Sequence, residues 1–141
     1  MKKLILLTIL LVPLLTFSQG QLGSDIDGEA ANDYSGHSVS INSDGSHVAI
    51  GAYYNDGNGT NSGHVRIYSW DGIAWSQVGN DIDGEAASEY TSDYLGQSVS
   101  IDSDGSHVAV GAHQYSGPGH LAGYVRIYSW DGSAWSQVGN D

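Results

Sequence analysis

An all-β fold made of two four-stranded antiparallel units follows from three observations on the sequence. After position 18 the 141-residue chain has nine Val and eight Ile against three Leu, and overall it has nine Tyr, four Trp and twenty Gly. β-branched and aromatic side chains fit a pleated surface, and Gly marks the turns between strands. Gly36 to Ala52 recurs as Gly96 to Ala112 with 14 of 17 positions identical, and Gly63 to Asn80 recurs as Gly123 to Asn140 with 16 of 18 identical. Each unit is 56 to 60 residues long and holds four strand-like runs. Four strands repeated at a period somewhat above 40 residues are the pattern of a β-propeller blade.

In chain order, Met1-Lys2-Lys3 is a short positive region and Leu4 to Phe17 is an apolar run of fourteen residues. Thr16-Phe17-Ser18 then places small side chains at the first and third positions before a cleavage point. Residues 1–18 are therefore expected to be a secretory signal peptide. A transmembrane anchor needs about twenty apolar residues, whereas this run is shorter and carries Pro13. Residues 19–24 read as a linker, 25–80 as the first repeat and 81–141 as the second.

Within the first repeat, Ser38 to Ile41 and His47 to Ala52 flank Asn42-Ser43-Asp44-Gly45, a turn whose Asp-Gly suits positive φ. His64 to Trp70 alternates Val65 and Ile67 with Arg66, Tyr68 and Trp70, and meets Ala74 to Val78 through Asp71-Gly72. The second repeat carries the same runs, with four extra residues near Tyr90 to Asp93. In such a meander the connections fall alternately on opposite ends of the sheet. One end has only the tight turns. The other gathers the loop Tyr53 to Ser62, the acidic opening Asp25-Ile26-Asp27-Gly28-Glu29, and their counterparts in the second repeat. Binding residues concentrate on loops held by a rigid scaffold, so this second end is the candidate functional face.

Charge and composition exclude several partners. The net charge is -12, and both lysines lie in the first three positions, which leaves two arginines against sixteen acids in the rest of the chain. Nucleic acid binding draws on clustered Lys and Arg, and an anionic membrane surface makes the same demand. Neither is an expected partner, and beyond residues 1–18 no further apolar run points to membrane insertion. With no cysteine there is no disulfide, thiolate nucleophile or cysteine zinc site.

The two repeats resemble the FG-GAP repeats of integrin α-subunit-like propellers, in the form found as tandem arrays in exported bacterial proteins. Tyr34-Ser35-Gly36-His37-Ser38-Val39 and Tyr94-Leu95-Gly96-Gln97-Ser98-Val99 look like the Phe-Gly element, and Val48 to Ala52 and Val108 to Ala112 look like the Gly-Ala-Pro element. Gly63 to Tyr68 and Gly123 to Tyr128 resemble the third strand of that family. The Phe is absent, and Tyr53 and His113 stand where Pro is usual. The resemblance implies calcium loops of Asp-x-Asp/Asn-x-Asp-Gly type. Here Asn42 replaces the first carboxylate, and in both units His or Val replaces a downstream acid. Two side chains serve poorly a cation wanting six to eight oxygens, so these stretches read as hairpin turns.

Other constellations have competing readings. Asp25, Asp27, Glu29 and Asp33, and again Asp81, Asp83, Glu85 and Asp93 with Glu89, form acidic loops that are candidate calcium ligands. The alternative is a solvated turn whose acids cap local amides. Tyr53, Tyr54, Asn55 and Asp56 in one loop, and His113, Gln114, Tyr115 and His120 in its counterpart, are candidate ligand residues. These loops match at only two positions of ten between near-identical strands, which fits either tuning for a ligand or free drift. The pairs Trp70/Trp75 and Trp130/Trp135 bracket Asp-Gly hairpins, and cross-strand packing accounts for them better than sugar stacking. Arg66 and Arg126 are expected to pair with nearby carboxylates, and Asn58-Gly59 is expected to turn the chain. The histidines have no spacing that specifies a zinc site, and no catalytic set is evident.

Two blades do not close a propeller, for which four to eight are typical. Asn140-Asp141 match Asn80-Asp81, so the expectation is either a piece of a longer array or a protomer that self-associates, three or four copies giving six or eight blades. The expected function, implied by the resemblance, is a non-catalytic, secreted or cell-surface module for adhesion to an extracellular protein or glycan. One alternative is a carbohydrate-active enzyme using carboxylate pairs from Asp25, Asp27, Glu29 and their repeats at separations of about 5 to 9.5 Å. Another is a structural spacer.

Overall fold

The computed structural model describes residues 20–85, 92–114 and 122–140. The expected signal peptide at 1–18, the candidate residues Tyr115 and His120, and Glu89 lie outside the described residues. All regular structure among the described residues is strand. The first sheet holds β1 (Ser38–Ile41), β2 (His47–Ala52), β3 (His64–Trp70), β4 (Trp75–Gln77) and β5 (Ile82–Asp83). The second holds β6 (Ser98–Ile101), β7 (His107–Ala112), β8 (Tyr124–Trp130) and β9 (Trp135–Gln137). Each is an antiparallel meander in chain order, as the alternation and turn residues require.

Local chemistry sets the turns. The Asp44 carboxylate accepts the Ser46 amide at 2.9 Å, and the Asn42 side-chain oxygen accepts the His47 amide at 2.9 Å, closing the β1–β2 hairpin. Asp71 Oδ1 accepts the amides of Ile73 and Ala74, both at 2.8 Å, and Asp131 repeats this with Ser133 and Ala134. Beside each of these latter turns a tryptophan pair closes the strand ends, Trp70 opposite Trp75 and Trp130 opposite Trp135, with ring centroids 5.4 Å apart in both.

The fourth strand of the first sheet is broken. Tyr68 pairs with Gln77 while Val65 pairs with Ile82, so between these pairs two residues of β3 face four of the returning chain. The two extra residues form a bulge around Gly79 to Asp81, after which β5 rejoins β3. Ile82–Asp83, the opening of the second sequence repeat, thus completes the sheet of the first.

The two sheets stack face to face. Ala49, Val65 and Ile67 on the forward face of the first sheet form one core with Leu95, Ile101, Val108, Val110 and Ala112 on the back face of the second. Small residues bring the backbones together. Gly63 has φ +73°, and an added Cβ would lie 2.1 Å from the Leu95 carbonyl oxygen, so no other residue fits. This close approach forms a parallel bridge between Gly63 and Leu95, with the Leu95 amide donating to the Ser62 carbonyl at 2.9 Å. Ser38 Oγ donates to the Gly96 carbonyl at 2.6 Å, and the Ile101 amide donates to Ser40 Oγ at 3.1 Å.

Candidate functional site

The alternation of connections places two groups of residues at the loop end. The first is a cluster of rings. Tyr34, Tyr53 and Tyr54 from the first repeat meet Tyr94 from the second, with centroids 5.8 Å apart for Tyr34–Tyr53, 4.5 Å for Tyr53–Tyr54 and 5.3 Å for Tyr54–Tyr94. His37 packs on Tyr53 at 4.4 Å and His113 on Tyr94 at 5.6 Å. The cluster spans both blades and is open to solvent, with Tyr34 57% exposed. Tyr34 and Tyr94 hold φ of 55° and 57°, a left-handed conformation that costs a bulky residue on the order of 1–3 kcal/mol. Burial, with the neighbouring tyrosines, raises the Tyr53 phenol above its usual value.

The second group is ionic and lies at the β3 edge. His64 is buried, and its Nδ1 lies 3.5 Å from Asp81 Oδ2 and 3.8 Å from Glu29 Oε2 without a hydrogen-bond partner. Glu29 comes from the opening of the first repeat and Asp81 from the bulge that opens the second. Arg66 Nη1 stands 3.6 Å from Glu29 Oε1. Burial, followed by the Arg66 charge, holds His64 below the usual imidazole range, against the pull of Asp81 and Glu29. One imidazole nitrogen and two carboxylate oxygens within 4.8 Å of one another make a donor set for a borderline divalent cation.

In the second repeat Tyr124 replaces His64. Its hydroxyl donates to Asp93 Oδ2 at 2.5 Å, and the Glu85 amide donates to the same oxygen at 2.8 Å. Burial pushes the Asp93 carboxyl up, and the Tyr124 phenol is raised by burial and by Asp93. Arg126 Nη2 donates to Glu85 Oε1 at 2.5 Å.

The candidate acidic residues thus scatter. Glu29 and Glu85 partner arginines, as expected of Arg66 and Arg126. Asp33 is buried and accepts Asn55 Nδ2 at 2.9 Å. Asp25 accepts Gln21 Nε2 at 2.7 Å. Asp27 and Asp83 are exposed. Among the described residues, Glu29 and Asp81 are the candidates that reach ligand spacing of one another, and they do so across the two repeats with His64 between them. A second group, Asp102, Asp104 and His107, occupies the β6–β7 turn. Its Asp102 carboxyl is raised by desolvation but lowered further by hydrogen bonds from His107, to about 2.

The loop candidates divide in function. Tyr53, Tyr54 and His113 join the ring cluster, and Gln114 follows His113. Asn55 is buried as a latch, bonding Asp33 and, at 3.3 Å, Glu29 Oε2. Asp56 Oδ1 accepts the Asn61 amide at 2.7 Å, and the Gly59 amide donates to the Asp56 carbonyl at 3.1 Å, so the chain turns at Asn58-Gly59 as expected, while Asn58 Nδ2 reaches the Gly84 carbonyl at 2.8 Å. Sequence reasoning left Tyr34 and Tyr94 as marks of a repeat element rather than surface rings. Their recurrence beside Gly36 and Gly96 was the available signal.

No curated protein matches the chain. Residues 25–68 match the family model of the FG-GAP repeat, and the first unit, whose sequence the second repeats, is an FG-GAP-type repeat.

Proposed function

We propose that this chain is an exported, non-catalytic β-propeller-type module that binds an extracellular protein or glycan through its loop end. The carrying observation is the exposed ring cluster of Tyr34, Tyr53, Tyr54 and Tyr94, contributed by both blades. Aromatic rings supply contact area at low conformational cost and keep a polar edge for hydrogen bonds. Two of the rings sit on strained backbone, and such strain concentrates at binding sites. Export follows from the signal-like residues 1–18, and the absence of a catalytic set in the sequence supports a binding role.

The test is retention of the purified protein on immobilised glycans and extracellular matrix proteins. Tyr34→Ala and Tyr54→Ala are expected to lose at least tenfold in retention while their circular dichroism is unchanged. A saturable hydrolase or lyase activity lost in Asp27→Asn and Asp83→Asn would overturn the non-catalytic reading.

A second reading concerns a cation. The unpartnered Nδ1 of buried His64, facing Glu29 and Asp81, favours a zinc-class ion there over calcium, since an imidazole ligand and few oxygens suit the former. Zinc is expected to raise the melting temperature of the protein but not of His64→Gln. Equal stabilisation by calcium in both proteins would place the ion elsewhere.

A further inference from the structure

The two repeats tie the same pair of positions together by different means. In the second, Tyr124 of β8 reaches Asp93 directly, hydroxyl to Oδ2. Their counterparts in the first are His64 of β3 and Asp33, and here the connection runs through two further side chains. Asn55 Nδ2 donates to Asp33 Oδ2 at 2.9 Å and to Glu29 Oε2 at 3.3 Å. From Glu29 Oε2 to His64 Nδ1 the step is 3.8 Å, and from Nδ1 to Asp81 Oδ2 it is 3.5 Å.

Those last two steps exceed the usual N–H···O range but suit neighbouring ligands of one ion. Zinc bonds of about 2.0–2.2 Å to nitrogen and oxygen, at the tetrahedral angle, put donor atoms about 3.3–3.6 Å apart. The remaining few tenths of an ångström at Glu29 are within reach of its half-exposed side chain. Nδ1 is buried, has no hydrogen-bond partner and faces both carboxylates. Glu29 Oε1 faces Arg66 Nη1 at 3.6 Å, so Oε2 is the oxygen left for an ion, with a second lone pair for Asn55. Glu29, Asp81 and Asp83 act on His64 against the single charge of Arg66, and a divalent cation therefore enters a net negative field.

Asn55 is also the residue from which the tyrosine loop hangs. Its Oδ1 accepts the Gly57 amide at 2.8 Å, and its carbonyl accepts the Gly63 amide at 2.9 Å. The Tyr54 amide donates to the Asp33 carbonyl at 3.3 Å. Tyr34 follows Asp33, and Tyr53-Tyr54 precede Asn55, so every first-repeat tyrosine of the ring cluster is within two residues of this pair.

We propose that a zinc-class cation held by His64, Glu29 and Asp81 locks Asn55 and thereby orders the loop that presents Tyr53 and Tyr54. The inference rests on the readings above of the tyrosine face as the binding site and of His64 as a cation ligand. With the ion bound, Glu29 Oε2 is fixed and Asn55 stands in its outer shell, where such hydrogen bonds orient a ligand. Without it, the like charge of Asp81 works against Glu29, whose 3.3 Å bond is the longest of the three that hold the Asn55 side chain, and the loop loosens. Such coupling is reciprocal: what the ion adds to the loop, the loop adds to affinity for the ion. The second blade, with Tyr124 bonded straight to Asp93, is expected to be indifferent.

The experiment follows backbone amide exchange in the full chain, expressed in an exporting host, stripped of metal with a chelator and then titrated with zinc. Zinc is expected to slow exchange at Tyr54 and Asn55 by roughly tenfold, a coupling of ordinary size, and to leave Val110 of the second blade unchanged. His64→Gln is expected to lose the effect with native circular dichroism. Asn55→Ala is expected to bind zinc roughly tenfold more weakly, which a purely structural asparagine would not cause. If that variant does not fold, exchange at Tyr54 in the wild type decides alone. A melting temperature that zinc raises in the wild type but not in His64→Gln, with exchange at Tyr54 unmoved, would keep the cation site and overturn the coupling. Absence of zinc binding overturns both. Slowed exchange with undiminished retention of Tyr34→Ala and Tyr54→Ala on the immobilised glycans and matrix proteins would support the coupling and remove the tyrosine face as the binding site.

Discussion

Val65 and Val125 hold the same position of the same strand in the two repeats, yet the first is sealed between blades and the second stands 71% exposed. Their strands are identical from this residue to the end, Val-Arg-Ile-Tyr-Ser-Trp in both. Neighbours rather than local sequence therefore decide what each valine contributes. At concentrations where the chain is monomeric, Val65→Ala is expected to cost about 2 kcal/mol, from lost burial and the cavity left behind. Val125→Ala is expected to cost less than about 0.5 kcal/mol, as an exposed substitution. Denaturant unfolding of both variants measures the difference, and equal costs would mean that the blades do not stack as described.

Gly63 and Gly72 separate crowding from backbone strain. Both have positive φ, of 73° and 98° respectively, but an added Cβ would strike the Leu95 carbonyl at Gly63 and nothing within 4 Å at Gly72. Gly72→Ala is expected to cost roughly 1–3 kcal/mol from backbone strain alone. Gly63→Ala must also push the blades apart, so its melting temperature is expected to fall further, with loss of the Gly63–Leu95 bridge visible as faster amide exchange at Leu95.

Acid stability carries a signature of His64. Because burial holds the native imidazole below the usual 6.5, the unfolded chain binds a proton before the native state does. Stability conferred by the neutral native ring is thus present above pH 6.5 and declines as pH falls below that value. Unfolding free energy measured between pH 7.5 and 5.5 is expected to drop for the wild type, and His64→Gln is expected to flatten that slope. An unchanged slope in the variant would assign the titration to another group.

Asp93 works in the opposite sense at lower pH. Burial raises its native carboxyl above the usual 3.8, so the native state takes up that proton first. Its protonation favours the fold as pH falls through the raised value, and the benefit is lost as pH rises again. Asp93→Asn, which retains an acceptor for Tyr124, is expected to be at least as stable as the wild type at pH 7 and to lose this acid-side gain.

Much of the fold was legible in the sequence. The runs Ser38 to Ile41, His47 to Ala52 and His64 to Trp70 coincide with β1, β2 and β3, because alternation and Asp-Gly turns are local signals that nothing in the tertiary structure opposes. The bulge at Gly79 to Asp81 was only half legible: Gly79, at φ +73°, marks a bend, but the return of Ile82–Asp83 to β3 after it is a tertiary pairing with no local signal. Residues 19–24 read as a linker, although Gln21-Leu22-Gly23 copies Gln77-Val78-Gly79 closely enough to have betrayed a third occurrence of the motif. The ring cluster joins residues up to 79 positions apart, from Tyr34 to His113, and only the stacking of blades brings Tyr94 against Tyr54. The ionic group at His64 likewise draws on two repeats, so neither acidic loop taken alone could disclose it.

The indole hydrogen bonds from Trp75 and Trp135 give the molecule a built-in optical gauge. Each tryptophan pair sits over a joint between successive segments, one at Leu22 and one at Val78, and of the four indoles Trp135 packs against the rim of the apolar core while the other three stand outside it. Near-ultraviolet ellipticity and indole emission will consequently report hinge loosening at these joints before the sheets melt. A heating curve followed by fluorescence should then precede one followed by amide absorption, and the gap between them will measure how independently each blade holds its own shape.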